Sequence, residues 1–593
     1  MITSAPSHDG YKIAMDPIKF EVMRNAFASA ADEMAAALRK AAYSTNIKTR
    51  GDFSCALFDS QLRVIAQSFS QPIHLASMSR FVPAAIRQYG IERLEPGDGI
   101  VMNHPHHGAM HLNDVAVIVP FFHEGQHRGY AATVAHHVDI GGMAPGGLSI
   151  SRDLYQEGII IPSTRLIRNG QIVDEIFSLI TANIRSPRQM GGDFRAQVAA
   201  ALLGQRRIAD IIGRFGVETV ERFSEELIEY TRSWTKAEIA KLPAGEYHAE
   251  GYLDDDGVTG QPIKLVVQAT VKGGKVIFDL TGSDPQRPSP MNANLTYSYS
   301  ALSYVVKCLV NPDLPVNAGF YSQIEVNAPL GTVVNSVAPS GVIGGAEVSI
   351  RVCDLGFRAF ADALPDRIPA CGKSAMCQMG CGGIDPGSGD YYTFYESLAG
   401  GYGGRPNKNG MDAVQAHFQN TENSAIEEIE SHYPIRILRY ELETDSEGAG
   451  KYRGGLGVRR DWQFLNHEVT LTVFTNGTRF APWGLNHGED GGKARIILNP
   501  DDEKRELPSK ATLVFPANSI VSYRTPGGGG HGPVLERELE GVLRDVRDGK
   551  ISPQRARDVY AVVMAADGRT IDQEATLSLR QATRGVPAAN DHD

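Results

Sequence analysis

The chain lacks the features that mark secreted and membrane proteins. Only six cysteines are spread over 593 residues, so a framework of disulfide bonds is not expected. No run of about eighteen apolar residues occurs, and no transmembrane helix is predicted. The first residues, MITSAPSHDGYKIAMDP, show no basic stretch followed by an apolar one, so no signal peptide is predicted. A soluble cytoplasmic protein is the expectation.

Positive charge is also scarce. The formal net charge is −11 at pH 7, which argues against nucleic acid and against an anionic membrane surface as partners. With 42% hydrophobic and 21% charged residues, the composition is that of a globular protein. A chain of this length exceeds one hydrophobic core, so several domains are expected.

Recognisable nucleotide and serine-hydrolase motifs are missing. No G-x-S-x-G sequence occurs, so a serine nucleophile of that type is not indicated. The stretch PGGGGHG (526–532) lacks the lysine and the Ser/Thr of a P-loop, and CGKSAM has Arg367 where the first P-loop glycine belongs. We therefore interpret PGGGGHG as a structural turn. Cys371, Cys377 and Cys381 do not have a zinc-site spacing.

The pattern along the chain predicts an α+β protein of several domains, with mixed, largely antiparallel sheets and peripheral helices. Asp16-Pro17 is a typical helix start, and a long helix is expected from Ile18 to about Ala42. VAVIVPFFH and GYAATVAHHVDI predict two paired strands joined by a polar turn. The predicted domains are an N-terminal α+β domain (1–245), a β-rich middle domain with long glycine-rich loops (246–430) and a β-rich C-terminal domain ending in helices (431–593).

Histidine is concentrated in one place. Eight of the seventeen histidines lie between His104 and His137. Two H-x2-D pairs flank the predicted strand pair, one before the first strand and one at the end of its partner, so both pairs should meet at one sheet edge. The candidate metal ligands are His111, Asp114, His136 and Asp139.

Two nitrogens and two oxygens suit Zn, Mn or Fe better than Mg or Ca. The alternative is that these are surface histidines or polar groups with ordinary hydrogen bonds. Asp139 or Asp114 is a candidate proton acceptor if only three groups hold the metal. His137, Asn103 and His107 are candidates for supporting the ligands or contacting substrate.

Several long motifs give the chain a family resemblance over about residues 16 to 563. They are AAYSTNIKTRGDFSCALFD, QPIHLASM, HLNDVAVIVPFF, AHHVDIGG, YQEGIIIP, NIRSPRQMGGDFRAQ, QNTENSAIEEIESHYPIRILRYELETDSEGAGKYRGGLGVRRDW and PGGGGHG. On these motifs the chain resembles hydantoinase B, a family that includes one of the two components of N-methylhydantoinase, the C-terminal half of 5-oxoprolinase and a large subunit of acetone and acetophenone carboxylases.

The resemblance implies a role in a two-part enzyme. Family members work with a hydantoinase A-type partner that carries the ATP site and phosphorylates the substrate oxygen, so a hetero-oligomer such as A2B2 is expected. In relatives with a metal, the ligands come from the two H-x2-D motifs, which correspond here to His111, Asp114, His136 and Asp139. The expected activity is ATP-dependent hydrolysis of a lactam, oxoproline-like or hydantoin-like ring. The alternative is a subunit of a ketone carboxylase.

Two stretches depart from the family pattern. Thr49 stands where glutamate is expected in S-x-N-I-K-E-R, so the role of Ser44 to Asp52 is open. The loop HPHHGA replaces the usual D-P-Y-x-G-G-T, which suggests different substrate contacts there.

Overall fold

The structure, a computed structural model, describes residues 13–68 and 71–584. The prediction that the N-terminus is not a signal peptide falls largely on the first twelve residues, which lie outside this range. Within it, the helices are α1 (Pro17–Ala41), α2 (Thr45–Lys48), α3 (Pro72–Tyr89), α4 (Asp174–Ala182), α5 (Pro187–Phe215), α6 (Val217–Ile239), α7 (Leu295–Leu309), α8 (Ala318–Tyr321), α9 (Gly345–Ala359), α10 (Ile426–His432), α11 (Leu539–Arg547), α12 (Pro553–Asp558) and α13 (Gln573–Arg584). None of these helices is both long and apolar enough to cross a bilayer.

The strands of the described residues form four sheets. In chain order they are β1 (Phe53–Asp59), β2 (Val64–Gln67), β3 (Gly99–Met102), β4 (Asp114–His123), β5 (Gln126–His136), β6 (Thr164–Arg168), β7 (Gln171–Ile172), β8 (Gly245–Leu253), β9 (Ile263–Lys272), β10 (Lys275–Asp279), β11 (Ile324–Asn327), β12 (Gln378–Ile384), β13 (Tyr391–Ser397), β14 (Ile435–Leu442), β15 (Val458–Phe464), β16 (Val469–Phe474), β17 (Arg495–Leu498), β18 (Arg505–Glu506), β19 (Lys510–Phe515) and β20 (Ile520–Arg524).

The first sheet has the order β2-β1-β5-β4-β3-β6-β7, and all of its neighbours are antiparallel. The second, β11-β10-β9-β8, contains one parallel pair, β10 with β11. The other two are β13-β12-β16-β19 and β14-β15-β20-β17-β18. The predicted α+β class with largely antiparallel sheets is confirmed. The third sheet joins strands from both sides of residue 430, and the three-domain division stays a prediction.

Helix α1 and the β4–β5 pair form where the sequence predicts them. Asp16 caps α1 by accepting a hydrogen bond from the N–H of Lys19, and the buried face of the helix packs against α5 and the first sheet. The β4–β5 connection is tighter than the predicted polar turn, because β5 already begins at Gln126. Glu124 and Gly125 both have positive φ angles, of 51° and 75°, as a two-residue hairpin turn requires.

Five segments, four of them rich in glycine, run side by side and are joined by backbone hydrogen bonds. We call them the glycine bundle: residues 370–373, 400–404, 446–457, 483–492 and 526–532. A Cβ on Gly527, Gly528, Gly529 or Gly530 would overlap the backbone of a neighbouring segment. Only glycine allows backbones to approach this closely. PGGGGHG is therefore a buried central segment of this bundle rather than a turn.

Every backbone N–H from Gly527 to Gly532 donates to a carbonyl of another segment, at 2.8–3.2 Å. An anion-binding loop needs free N–H groups directed at the ligand. PGGGGHG therefore offers no phosphate cradle, in agreement with the structural interpretation from the sequence.

Candidate metal centre

Three adjacent strands of the first sheet bring acidic and imidazole side chains to one edge. Asp114 opens β4 and stands directly opposite His136, the last residue of β5. Asp52 immediately precedes β1, on the other side of β5, and its carbonyl accepts the N–H of His136 at 3.0 Å. Antiparallel pairing therefore places the start of two strands beside the end of the strand between them.

Two further histidines reach this edge from outside the sheet. His111 lies in the loop before β4, and its Nδ1 accepts the backbone N–H of Asp114 at 3.2 Å. This loop is anchored by Asn294, the N-cap of α7, which donates to the carbonyls of Ala109 and Met110. His74 comes from α3 and places Nε2 at 3.5 Å from Asp114 Oδ1. We refer to Asp52, His74, His111, Asp114 and His136 as the imidazole cluster.

Asp114 is the centre of this cluster. Its oxygens lie 3.4 Å from His111 Nδ1, 3.5 Å from His136 Nδ1 and 3.5 Å from His74 Nε2. Asp52 Oδ2 is 3.9 Å from His136 Nδ1. Ligand atoms about 2.1 Å from a tetrahedral ion stand about 3.4 Å from one another. The spacing therefore fits donors arranged around a shared ion better than donors hydrogen-bonded in pairs.

Burial and missing hydrogen bonds support the same interpretation. His74, His111, Asp114 and His136 are each at most 4% exposed. Among the described residues, Asp114 Oδ1 and His136 Nε2 have no hydrogen-bond partner, and neither has His74 Nδ1, the ring nitrogen opposite the one that faces Asp114. A buried polar group without a partner costs about 1–3 kcal/mol. The residues present thus fit a transition-metal ion, and His111, Asp114 and His136 form the compact three-ligand group, with ligand atoms within 4.8 Å of one another.

The electrostatics keep the ligands in the states that bind metal. Burial lowers the pKa of His111 to about 4, so this imidazole is neutral at pH 7. Burial alone would raise the pKa of Asp114, but His111 and His74 lower it well below its usual value. A metal needs neutral imidazoles and ionised carboxylates. The cluster supplies both near neutrality.

Comparison with known proteins identifies the family of the chain. The family model described as hydantoinase B/oxoprolinase matches residues 16–534. The chain belongs to the hydantoinase B/oxoprolinase family. It is 35% identical to the B-type component of a putative D-/L-hydantoinase from Pseudomonas sp., over 96% of this chain and 98% of that one.

Two solved structures share the fold of this hydantoinase B family member. The ATP-dependent caprolactamase from Pseudomonas jessenii superposes with a TM-score of 0.89 at 28% identity, covering 96% of this chain and 100% of that one. Acetone carboxylase superposes with a TM-score of 0.88 at 20% identity, covering 96% and 84% respectively. The second likeness shows the fold alone.

Of the four ligands that the sequence and the hydantoinase B resemblance predict, the structure brings three together. Asp139 is not part of the three-ligand group. Both Asp139 oxygens accept hydrogen bonds from Arg185, at 2.6 Å from its backbone N–H and at 3.1 Å from its guanidinium. This ion pair gives Asp139 a structural partner, and its predicted ligand and proton-acceptor roles stay predictions.

Asn103 and His137, two of the three predicted supporting residues, serve the backbone and the core. Asn103 ties loops together through Leu112, Ile159 and Ile161. His137 points to the opposite face of the sheet from His136, where its Nε2 lies 2.7 Å from Gln197 and its ring packs on Phe194. His107 is at the surface beside Gln88. The structure brings none of the three to the imidazole cluster.

Asp52 and His74 are the two cluster residues that ligand spacing does not reveal. Asp52 lies 59 positions before His111 and His74 lies 37 before it, and only the β1–β5 pairing and the docking of α3 unite them with the other three. The signal that the sequence does offer is the hydantoinase B resemblance. Asp52 begins its motif DFSCALFD, and His74 lies within its motif QPIHLASM.

Residues of the Ser44–Asp52 stretch hold two members of the cluster, Asp52 and His136, in place through hydrogen bonds. Asn46 donates to the carbonyl of His136 at 2.8 Å and to Asp52 Oδ2 at 3.3 Å. Arg50 in turn donates to Asn46 Oδ1 at 2.6 Å. Thr49, where the family pattern has glutamate, donates its hydroxyl to Glu428 of α10 at 2.7 Å. A carboxylate is thus present beside this stretch, although another part of the chain supplies it.

Proposed function

We propose that this chain is the metal-bearing B-type component of an ATP-dependent hydrolase of cyclic amides, with a lactam, oxoproline-like or hydantoin-like ring as substrate. The observation that carries the proposal is the imidazole cluster, whose buried donor atoms surround a position suited to one ion. The activity of the similar caprolactamase and the name of the similar hydantoinase component support a cyclic amide as the substrate class.

The proposed cofactor is one divalent transition metal, Zn, Mn or Fe, held by His111, Asp114 and His136 with Asp52 as the fourth ligand. When bound, such an ion supplies a water molecule acidified toward neutral pH. His74 orients Asp114 from the side of α3. Asn46 holds both Asp52 and the backbone of His136, so the two sides of the cluster keep a fixed separation.

ATP enters through a hydantoinase A-type partner. An unactivated amide resists attack by water, and phosphorylation of its oxygen gives an imidate-like carbon with a good leaving group. The occupied N–H groups of PGGGGHG support the division of labour, because this segment offers no phosphate cradle of its own. A hetero-oligomer of A2B2 type in the cytoplasm is the corresponding assembly.

The decisive experiment combines the purified chain with its A-type partner, ATP and a panel of lactams, hydantoins and ketones. We expect ring opening without bicarbonate, oxygen-18 from solvent in the new carboxylate, and no fixation of carbon-14 bicarbonate. His136→Ala should abolish ring opening, whereas the surface variant His107→Ala should not. Incorporation of labelled bicarbonate into a ketone while every cyclic amide stays intact would replace the hydrolase by a ketone carboxylase.

A further inference from the structure

Tyr297 is a tyrosine beside the imidazole cluster. It lies in the first turn of α7, is fully buried, and its ring stands edge-on to His111 with 6.1 Å between ring centroids. Gly345, at the start of α9, makes room for this ring, since a Cβ there would lie 2.6 Å from Tyr297 Cε2. Packing from two helices therefore fixes the ring against the cluster.

The hydroxyl of Tyr297 has no hydrogen-bond partner within residues 13–68 and 71–584. Nearby tyrosines do: the hydroxyl of Tyr395 accepts from Gln378 at 3.0 Å, and that of Tyr299 donates to the carbonyl of Tyr321 at 3.2 Å. The ring contact with His111 puts Tyr297 beside the cluster, and its hydroxyl is buried there. A buried hydroxyl of this kind is a donor available to a ligand.

The chemistry of the proposed reaction defines an acceptor for this donor. In a lactam the ring nitrogen carries a hydrogen. Once the oxygen is phosphorylated and this N–H proton has passed to solvent, a C=N bond remains whose nitrogen is an acceptor. When water adds, its oxygen bonds to the carbon and the C=N electron pair moves onto nitrogen. Nitrogen receives one proton of the water on addition and the other when the C–N bond breaks, which gives an amine and an acyl phosphate. A second water then hydrolyses the acyl phosphate to carboxylate and phosphate.

The same intermediate has a wasteful alternative. If the C–O bond to phosphate breaks before the C–N bond, the ring amide is regenerated and one ATP is lost. A hydrogen bond to nitrogen stabilises the charge that develops there and favours C–N cleavage. Resting on the proposed function, we propose that the Tyr297 hydroxyl donates a hydrogen bond to the ring nitrogen of the phosphorylated substrate and thereby directs the intermediate toward ring opening.

The test compares Tyr297→Phe with Tyr299→Phe, a matched loss of a hydroxyl two residues further along the same helix. Each is assayed with the A-type partner, ATP and three probes: 5-oxoproline, hydantoin and caprolactam. Phosphate release and ring-opened product are measured in parallel, together with metal content and the thermal unfolding midpoint. Tyr297→Phe should lower ring opening about 100-fold and raise the ratio of phosphate to product at least fivefold. Tyr299→Phe should leave that ratio unchanged.

Each other outcome contradicts a specific statement. An unchanged ratio in Tyr297→Phe, with the wild type opening a ring, overturns the role of Tyr297 alone. Loss of metal or of folded protein in this variant also overturns it, because the hydroxyl would then have had a structural partner. Failure of the metal-loaded wild-type complex to open any probe ring overturns the proposed function and the role of Tyr297 with it.

Discussion

The imidazole cluster and the glycine bundle are both buried and both rich in polar atoms, but they treat those atoms in opposite ways. In the glycine bundle each N–H of PGGGGHG has a carbonyl partner, and the close approach of backbones leaves no space for a Cβ at Gly527 to Gly530. In the imidazole cluster, one side-chain nitrogen or oxygen in each of His74, Asp114 and His136 lacks a hydrogen-bond partner in the part of the chain that the structure describes. The contrast separates architecture from chemistry, because a protein bears the cost of unpaired buried polar atoms mainly where a ligand completes them.

The largest effect is expected from adding one methyl group to the glycine bundle. Gly528→Ala places a Cβ onto the carbonyl of Tyr402, inside a segment with no room to move. We expect a loss of more than about 4 kcal/mol in the free energy of unfolding, or no folded protein, measured by soluble yield and calorimetry.

The control is Gly213→Ala, in the last turn of α5, where a Cβ meets no described atom within 4 Å outside the backbone of the helix itself. This substitution should stabilise the protein by up to about 1 kcal/mol. A Gly528→Ala protein as stable as the wild type would show that the bundle tolerates side chains.

The second effect concerns metal rather than stability. Elemental analysis of protein prepared without chelators should find about one transition-metal ion per chain, and His136→Ala should reduce affinity more than about 100-fold. His136 Nε2 has no partner among the described residues, so His136→Ala breaks no hydrogen bond of that nitrogen. In the absence of metal, this variant should therefore lose far less free energy of unfolding than Gly528→Ala loses. Full occupancy in the variant, or an absence of metal in the wild type, would remove the ligand assignment.

The third prediction separates two aspartates. Asp52→Asn should weaken metal binding at least about tenfold with little change in the stability of the metal-free protein. Asp139→Asn should keep the metal but cost about 2 kcal/mol, because Arg185 loses the charge of its partner in a largely buried pair. Metal titration and thermal unfolding of both variants test this. If Asp139→Asn lost the metal and Asp52→Asn kept it, Asp139 would be the fourth ligand, as the sequence predicts.

The sequence predicts the parts of the site that are local. His111 and Asp114 are three residues apart, and the hairpin that joins β4 to β5 follows from alternation and a polar turn, so the meeting of Asp114 with His136 can be foreseen. Asp52 and His74 cannot, because their contacts depend on the pairing of β1 with β5 and on where α3 docks. Asp139 illustrates the converse: its spacing matches a ligand pair, but Arg185, 46 residues later, binds it.

Fold prediction succeeds and fails for similar reasons. Helix α1 and the paired strands arise from local periodicity and capping, which a single sequence displays directly. PGGGGHG reads as a turn because glycine usually marks turns. Its actual role depends on four other segments, distant in sequence: three supply carbonyl partners to its N–H groups, and residues 400–404 donate hydrogen bonds to its carbonyls.

The smallest effect is a pH dependence at the margin of the glycine bundle. His417 packs on Phe357 with 4.3 Å between ring centroids, and its Nδ1 lies 3.4 Å and 3.5 Å from the hydroxyls of Tyr304 and Tyr402. Burial lowers the pKa of His417 to about 4. Since the unfolded chain binds a proton below about pH 6.5, stability from this group is complete above that value and is lost as the pH falls toward 4. The loss can reach about 3 kcal/mol.

His417→Gln removes the titration, so its stability deficit relative to wild type should shrink between pH 7.5 and pH 5. Thermal unfolding midpoints of the two proteins across this range measure the deficit, and parallel curves would show that His417 does not titrate as its burial requires.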